Sequence, residues 1–347
     1  MSPLGVRVLA KHMKGKFGQL WTLAALALLV VVTLALALQL GGQPVSISRA
    51  LRDPTSLDST ILFAARLPRA LLAGLAGAGL AAVGVAFQAL LRNPLADPYV
   101  LGVSGGAAAG ATIAMLLGGA TASLWGAALL PVSALIGGVC ASLLVYAIAR
   151  AHKDLSGTTI VLAGVIVNAL ASAVITFIKT LVTASKAQEL LFWLMGFIDV
   201  PTGRQLAFTT LWVSLGALIL AYDSGRLNLL SLGREPAAHV GVDVQRLERR
   251  VFFAASAIAG AIVSITGLIG FVGLVVPHAA RRIVGPDHRV VLPAALLLGA
   301  ATLMGCDLLA RVAFLWLGTE PPVGALTALI GGPLFLLLMY RTRHRAV

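Results

Sequence analysis

Apolar positions along this chain gather in long blocks rather than in the short strides of an amphipathic helix or strand. Apolar runs occupy 20–40, 62–90, 99–117, 124–149, 156–182, 205–222, 251–281, 290–310 and 322–340, with short polar breaks between them. A helix of about 20 apolar residues crosses the ~30 Å hydrocarbon core of a bilayer. The pattern therefore predicts an all-α polytopic membrane protein, organised as one domain over 1–347. The run 251–281 is too long for one span, since a single helix of that length would reach about 46 Å. It contains Thr266, Gly267, Gly270 and Gly273, so we expect two short helices with a break near 266–270. That brings the expectation to about ten transmembrane helices.

Composition strengthens this reading. Of 347 residues only 11% are charged and 59% are hydrophobic, with a mean hydropathy of +0.96. A soluble protein of this length needs more charge to cover its core. The net charge of +13 raises the question of nucleic acid, but the basic residues sit at the ends of apolar runs, which excludes that partner. An even number of spans puts both basic termini on one side. The positive-inside rule makes that side cytoplasmic. Of the Lys and Arg residues, 18 then fall inside and 8 outside. The first run is 21 residues long, a span rather than the core of a signal peptide, although Ala35-Leu36-Ala37 resembles a cleavage site. The sequence thus reads as a cytoplasmic N-terminus (1–19), a cytoplasmic loop (223–250) and a cytoplasmic tail (341–347). Cys140 and Cys306 lie far apart in apolar runs and are expected to pack without reacting.

Several polar residues break the apolar pattern. Gln88 and Asn168 lie inside spans, where interhelical hydrogen bonding explains each and pathway lining is the lesser alternative. RNPLADP at 92–98, with Asn93, reads equally well as a turn or as a helix interruption beside a pathway. Arg66, Arg69 and Arg311 fall on the outer side, against the charge rule, and suggest an acidic partner or an anionic substrate there. A pair with Asp307, four residues earlier on the same helix face, is the local alternative for Arg311. Gly74 with Ala78, and Gly102, Gly106 and Gly110, have the small-residue spacing of close helix packing. GVSG at 102–105 matches the serine motif of intramembrane proteases, for which His278 would be the base. An ion-coupled secondary transporter would need an acid in a span, and Asp307 is the main candidate. The chain has no P-loop and no metal-ligand motif.

The segment 230–250, LSLGREPAAHVGVDVQRLERR, is among the most polar. Leu227, Leu229, Leu230 and Leu232 lead into Gly233, and Pro236 opens a second stretch that ends at Gly241. Two short helices separated by glycine fit it. In water they would be marginal, so they imply a partner's groove.

From about Arg66 to Tyr340 the chain resembles the permease subunits of bacterial ABC importers for vitamin B12, ferric siderophores and haem. The motifs are RLPR, FQALLRNPLADPYVLGVSGGAAAG, LLFWLMG, LSLGREPAAHVGV, GLIGFVGLVVPHAARRIVGPDHR and PVGALTALIGGPLF, in that order. The resemblance implies a type II importer permease fold in the bacterial inner membrane, with alternating access. It also implies a second copy of the chain, two ATPase subunits inside, and a periplasmic or lipid-anchored binding protein outside. ATP and Mg would be bound by the ATPase, with no cofactor and no catalytic residue in this chain. Leu232, Gly233, Arg234, Glu235, Ala238 and Gly241 match the family's coupling helices. Arg66, Arg69 and Arg311 match arginines that receive glutamates of the binding protein. The gate falls in DLSGTT at 154–159, with Ser156 and Thr158 as its residues.

Overall fold

The computed structural model describes residues 3–97, 99, 101–117, 124–151 and 157–343. Helices follow one another as α1 (Pro3–Gln39), α2 (Ile47–Arg52), α3 (Leu57–Ser59), a π-helical stretch (Thr60–Arg66), α4 (Leu67–Leu90), α5 (Val103–Leu116) and α6 (Leu124–Ala151). Then come α7 (Gly157–Leu181), α8 (Ala184–Leu194), α9 (Gly203–Ser231), α10 (Arg234–His239), α11 (Val244–Thr266), α12 (Val272–Val284), α13 (His288–Leu317) and α14 (Val323–Arg343). There is no strand among the described residues. Among the described residues, seven helical stretches are long and apolar enough to cross a membrane, and α5 and α14 supply shorter apolar segments. With α12, a helix of 13 residues, the bundle reaches the ten expected from the sequence.

Helix α4 is the centre of the bundle and packs on α9, α11, α12 and α13. Glycine and alanine make this possible, because small residues let helix backbones touch where lipid offers no hydrophobic drive for association. A side chain on Gly84 would collide with the Gly273 carbonyl of α12. Helix α5 lies along α6, and Gly106 and Gly110 meet Gly137 and Ser133 there, as their spacing led us to expect. Helix α7 covers α5 and α6, and α1 leans on α13.

The break in 251–281 falls where the sequence placed it. Helix α11 ends at Thr266, and Gly267 follows at φ 65°, a left-handed position where glycine is tolerated. The gap packs against the loop after α8, where the Phe197 N–H donates to the Thr266 carbonyl at 3.0 Å. The N–H of Gly324, at the start of α14, reaches the Gly196 carbonyl at 3.1 Å.

Two elements differ from expectation. The leucines before Gly233 do not form a separate short helix, because α9 continues through them to Ser231. The expected loop 223–250 therefore contracts to α10 and its short flanks. Polar residues at the end of α9 find partners on other helices and so do not stop it. Asn228 donates to Asp287 at 2.6 Å and its oxygen accepts from the His288 N–H at 2.8 Å. At 29 residues α9 is about 43 Å long and overshoots a ~30 Å hydrocarbon core by about two and a half turns. Ahead of α4 the helix widens into the π-helical stretch, where the Leu67 N–H bonds to the Leu62 carbonyl. Pro68 follows and has no N–H to continue the normal register.

Candidate functional site: the two ends of the bundle

At the end where α1 finishes and α4 begins, the three arginines that defy the charge rule meet backbone and carboxylate partners inside the chain. The last carbonyls of α1 have no intrahelical donors and carry the negative end of its dipole. No basic residue lies in the last turn of α1 itself. Arg66 supplies the charge instead, donating to the Leu38 and Gln39 carbonyls at 2.8 Å each and to that of Gln43. Arg311 donates to the Ala37 carbonyl at 3.0 Å and lies 3.1 Å from Asp307. Both arginines are only 6% exposed. Arg69 bonds Asp307 and Glu320, each at 2.9 Å. The local pair of Arg311 with Asp307 is thus present, and all three arginines have partners within the chain.

At the opposite end, α10 hangs beyond the last turn of α9. Gly233, at φ 129°, makes the corner. Arg234 bonds Glu248 of α11 at 2.7 Å, which fixes α10 against the root of α11. Ala237 is buried beneath α10, while Leu232 and Val240 on either side of it are 73% and 70% exposed. Glu235, Ala238 and Gly241 are exposed with them. Six residues are too few to hold a helix in water unaided, so this one depends on its contacts.

The residues expected on the pathway are scattered. Gln88 is buried and donates to the Leu274 carbonyl at 3.2 Å and the Gly273 carbonyl at 3.4 Å. Pro277 has no N–H to offer the Gly273 carbonyl, so Gln88 takes its place. Its oxygen accepts from Arg281 at 2.5 Å. Interhelical bonding therefore explains Gln88, as the sequence favoured. Replacing Gln88 with leucine should strand both the guanidinium and the carbonyls, at a cost of about 1–3 kcal/mol. A lowered thermal midpoint in detergent checks this; a lining role alone would alter transport and leave the midpoint in place.

Asn168 donates to the Tyr99 carbonyl, tying α7 to the entry of α5. Asn93 is exposed and accepts from the Leu95 N–H at 2.9 Å, so the described part of RNPLADP is a turn. Burial pushes the Asp97 carboxyl up to about 6, against the opposing pull of the Tyr99 N–H. Thr158 is exposed at the start of α7, and Ser156 lies outside the described residues. Ser104 is buried and its hydroxyl meets no hydrogen-bond partner among the described residues. Cys306 is buried in α13 and Cys140 is exposed on α6. The described residues hold no cluster able to bind a metal. Sequence reasoning missed Glu320, Glu248 and Asp223 as partners of arginines; each is an acid in a chain with only 13, which was the available signal.

Comparison with known proteins agrees with this architecture. A permease of a cobalamin import system from Halobacterium salinarum is 40% identical over 81% of this chain and 74% of its own length. A permease of a molybdate import system from Haemophilus influenzae is 35% identical over 93% of this chain and 96% of its own. A solved structure, described as an inward-facing metal-chelate type ABC transporter, superposes with a TM-score of 0.81 at 35% identity, covering 93% of this chain and 99% of that one. The profile of the FecCD transport family matches residues 28–341, and the chain is a member of that family of multi-pass ABC importer permeases.

Proposed function

We propose that the chain works as a homodimer that passes a metal chelate, such as a ferric siderophore, haem or cobalamin, across the cytoplasmic membrane by alternating access. Two ATPase subunits drive it from the α10 end and bind the ATP and Mg. A substrate-binding protein delivers cargo at the other end. The molybdate permease among its relatives extends the cargo class to metal oxyanions. The positive-inside rule makes the α10 end cytoplasmic, with both termini on that side.

The observation that carries the reading is the exposed α10 corner. A short helix tied to α11 and flanked by two bare apolar side chains fits the groove of a partner that moves. Motion there reaches the core through two ties. Arg234 to Glu248 links α10 to α11, and Asn228 to Asp287 and His288 links α9 to the turn between α12 and α13. Two packed arrangements of these helices would open a path for cargo to one side or the other. At the far end, Arg69 is the guanidinium best placed for a docking carboxylate, since its partner Glu320 is part exposed. Arg66 and Arg311 hold the end of α1 behind it.

The test is ATPase activity of the complex reconstituted with candidate ATPase and binding-protein subunits, with siderophore, haem, cobalamin and molybdate each offered as cargo. Stimulation by one cargo supports the reading. Uptake driven by a proton gradient without ATP overturns it. Within that assay, Arg234→Glu should lower stimulation, and the reversed pair Arg234→Glu with Glu248→Arg should restore most of it. Failure of the reversed pair would show that Arg234 acts on the partner rather than on α11.

A further inference from the structure

Helix α9 carries a row of large exposed side chains, Leu211, Leu215, Leu218 and Tyr222, spaced by four, three and four residues. That spacing keeps them on one face. An apolar row of this kind on a membrane helix faces lipid. From Gly203 to Tyr222 the helix rises about 29 Å, close to the ~30 Å of the hydrocarbon core. Tyr222 therefore stands at the interface, the level that tyrosine favours.

Two arginines close over it. Arg226 lies one turn further along α9, with its guanidinium 4.8 Å from the Tyr222 ring centre. Arg250 reaches across from α11 to 5.5 Å. Both donate to one oxygen of Asp223, at 2.7 and 2.6 Å. Asp223 is fully buried, whereas the arginine side chains remain 41% and 45% exposed. One carboxylate fixes two guanidiniums and neutralises one of them. An arginine has five N–H donors, so the pair keeps donors for a second acceptor, and with Asp223 the two guanidiniums carry a net single positive charge.

We propose that Arg226 and Arg250 bind the phosphate of an anionic phospholipid headgroup in the leaflet at the α10 end. Asp223 and Tyr222 set the geometry, and the leucine row receives the acyl chains. A phosphodiester matches the pair in charge and accepts two sets of N–H donors at once. A zwitterionic headgroup brings its own cation and gains less. The lipid would then brace α9 to α11 at the root of α10, whatever the cargo.

The experiment is native mass spectrometry of the full-length chain equilibrated with phosphatidylglycerol and phosphatidylcholine of matched acyl chains. The wild type should retain phosphatidylglycerol in preference. Arg226→Gln and Arg250→Gln should each reduce that preference by about fivefold, the weight of one cation near a membrane surface. Each single variant leaves Asp223 one guanidinium and so should stay folded; Arg204→Gln, at the other end of α9, should leave the preference unchanged. Equal retention of both lipids by the wild type overturns the proposal, as does an undiminished preference in both single variants. Displacement of the lipid by millimolar inorganic phosphate would also overturn it, because the pair would then bind free phosphate rather than a headgroup.

Discussion

Asp307→Ala should destabilise the chain by about 3–5 kcal/mol, the usual consequence of removing one partner from a buried ion pair. Asp307 is fully buried, 2.9 Å from Arg69 and 3.1 Å from Arg311. Without it, Arg311 has no carboxylate within ion-pair distance among the described residues and remains a buried cation beside the end of α1. Among the described residues, Arg69 then keeps Glu320 as its one acidic partner. The loss is a large fraction of the ~5–15 kcal/mol by which domains are commonly stable. It should appear as a collapse of the monodisperse peak in detergent and a fall in the thermal midpoint. Glu320→Gln is the control. Glu320 is 38% exposed, where an ion pair contributes about 1 kcal/mol or less. If Asp307→Ala kept the wild-type midpoint, its pairs with Arg69 and Arg311 would carry no structural weight and those two arginines would be free for an outside partner. The same geometry bears on ion-coupled transport, because an acid held between two arginines already has its counter-ions.

The pair of Arg311 with Asp307 is four residues apart on one helix, and the local rule finds it. The break at Thr266 was equally legible, since glycines interrupt a run too long for one span. Arg66 was not legible, because its partners are backbone carbonyls and no residue letter marks an uncapped helix end. The partner of Arg69 in the α13–α14 loop, Glu320, is distant in sequence and sits beside no apolar pattern. Gln88 is an instructive mixture. Its burial was readable from the run around it, but its task depends on Pro277 of another helix leaving a carbonyl free. The end of α9 misled for the opposite reason. Asp223, Arg226 and Asn228 look like the start of a loop, yet each has its partners within the bundle. Polar residues inside a membrane protein mark a helix end only when they lack partners, and partners are a property of the fold.

Leu232→Asp combined with Val240→Asp should abolish coupling while sparing the chain. Both side chains are mostly exposed, so their replacement disturbs little of this protein's own packing and its thermal midpoint should shift by less than about 0.5 kcal/mol. In a complex, burying a leucine or valine contributes about 1.5–3 kcal/mol each. Losing both, and placing two carboxylates in an apolar groove, should weaken ATPase association by well over a hundredfold, or more than about 2.7 kcal/mol. The measurement is pull-down of the ATPase by the detergent-solubilised chain, paired with the thermal midpoint of the same preparation. Unlike Asp307→Ala, which should remove the folded protein and its coupling together, this double variant should separate them. Normal folding with lost association places the partner on the α10 corner. Normal folding with normal association would mean that the partner grips another surface, and α10 would be a cap on the bundle rather than the point where force enters it.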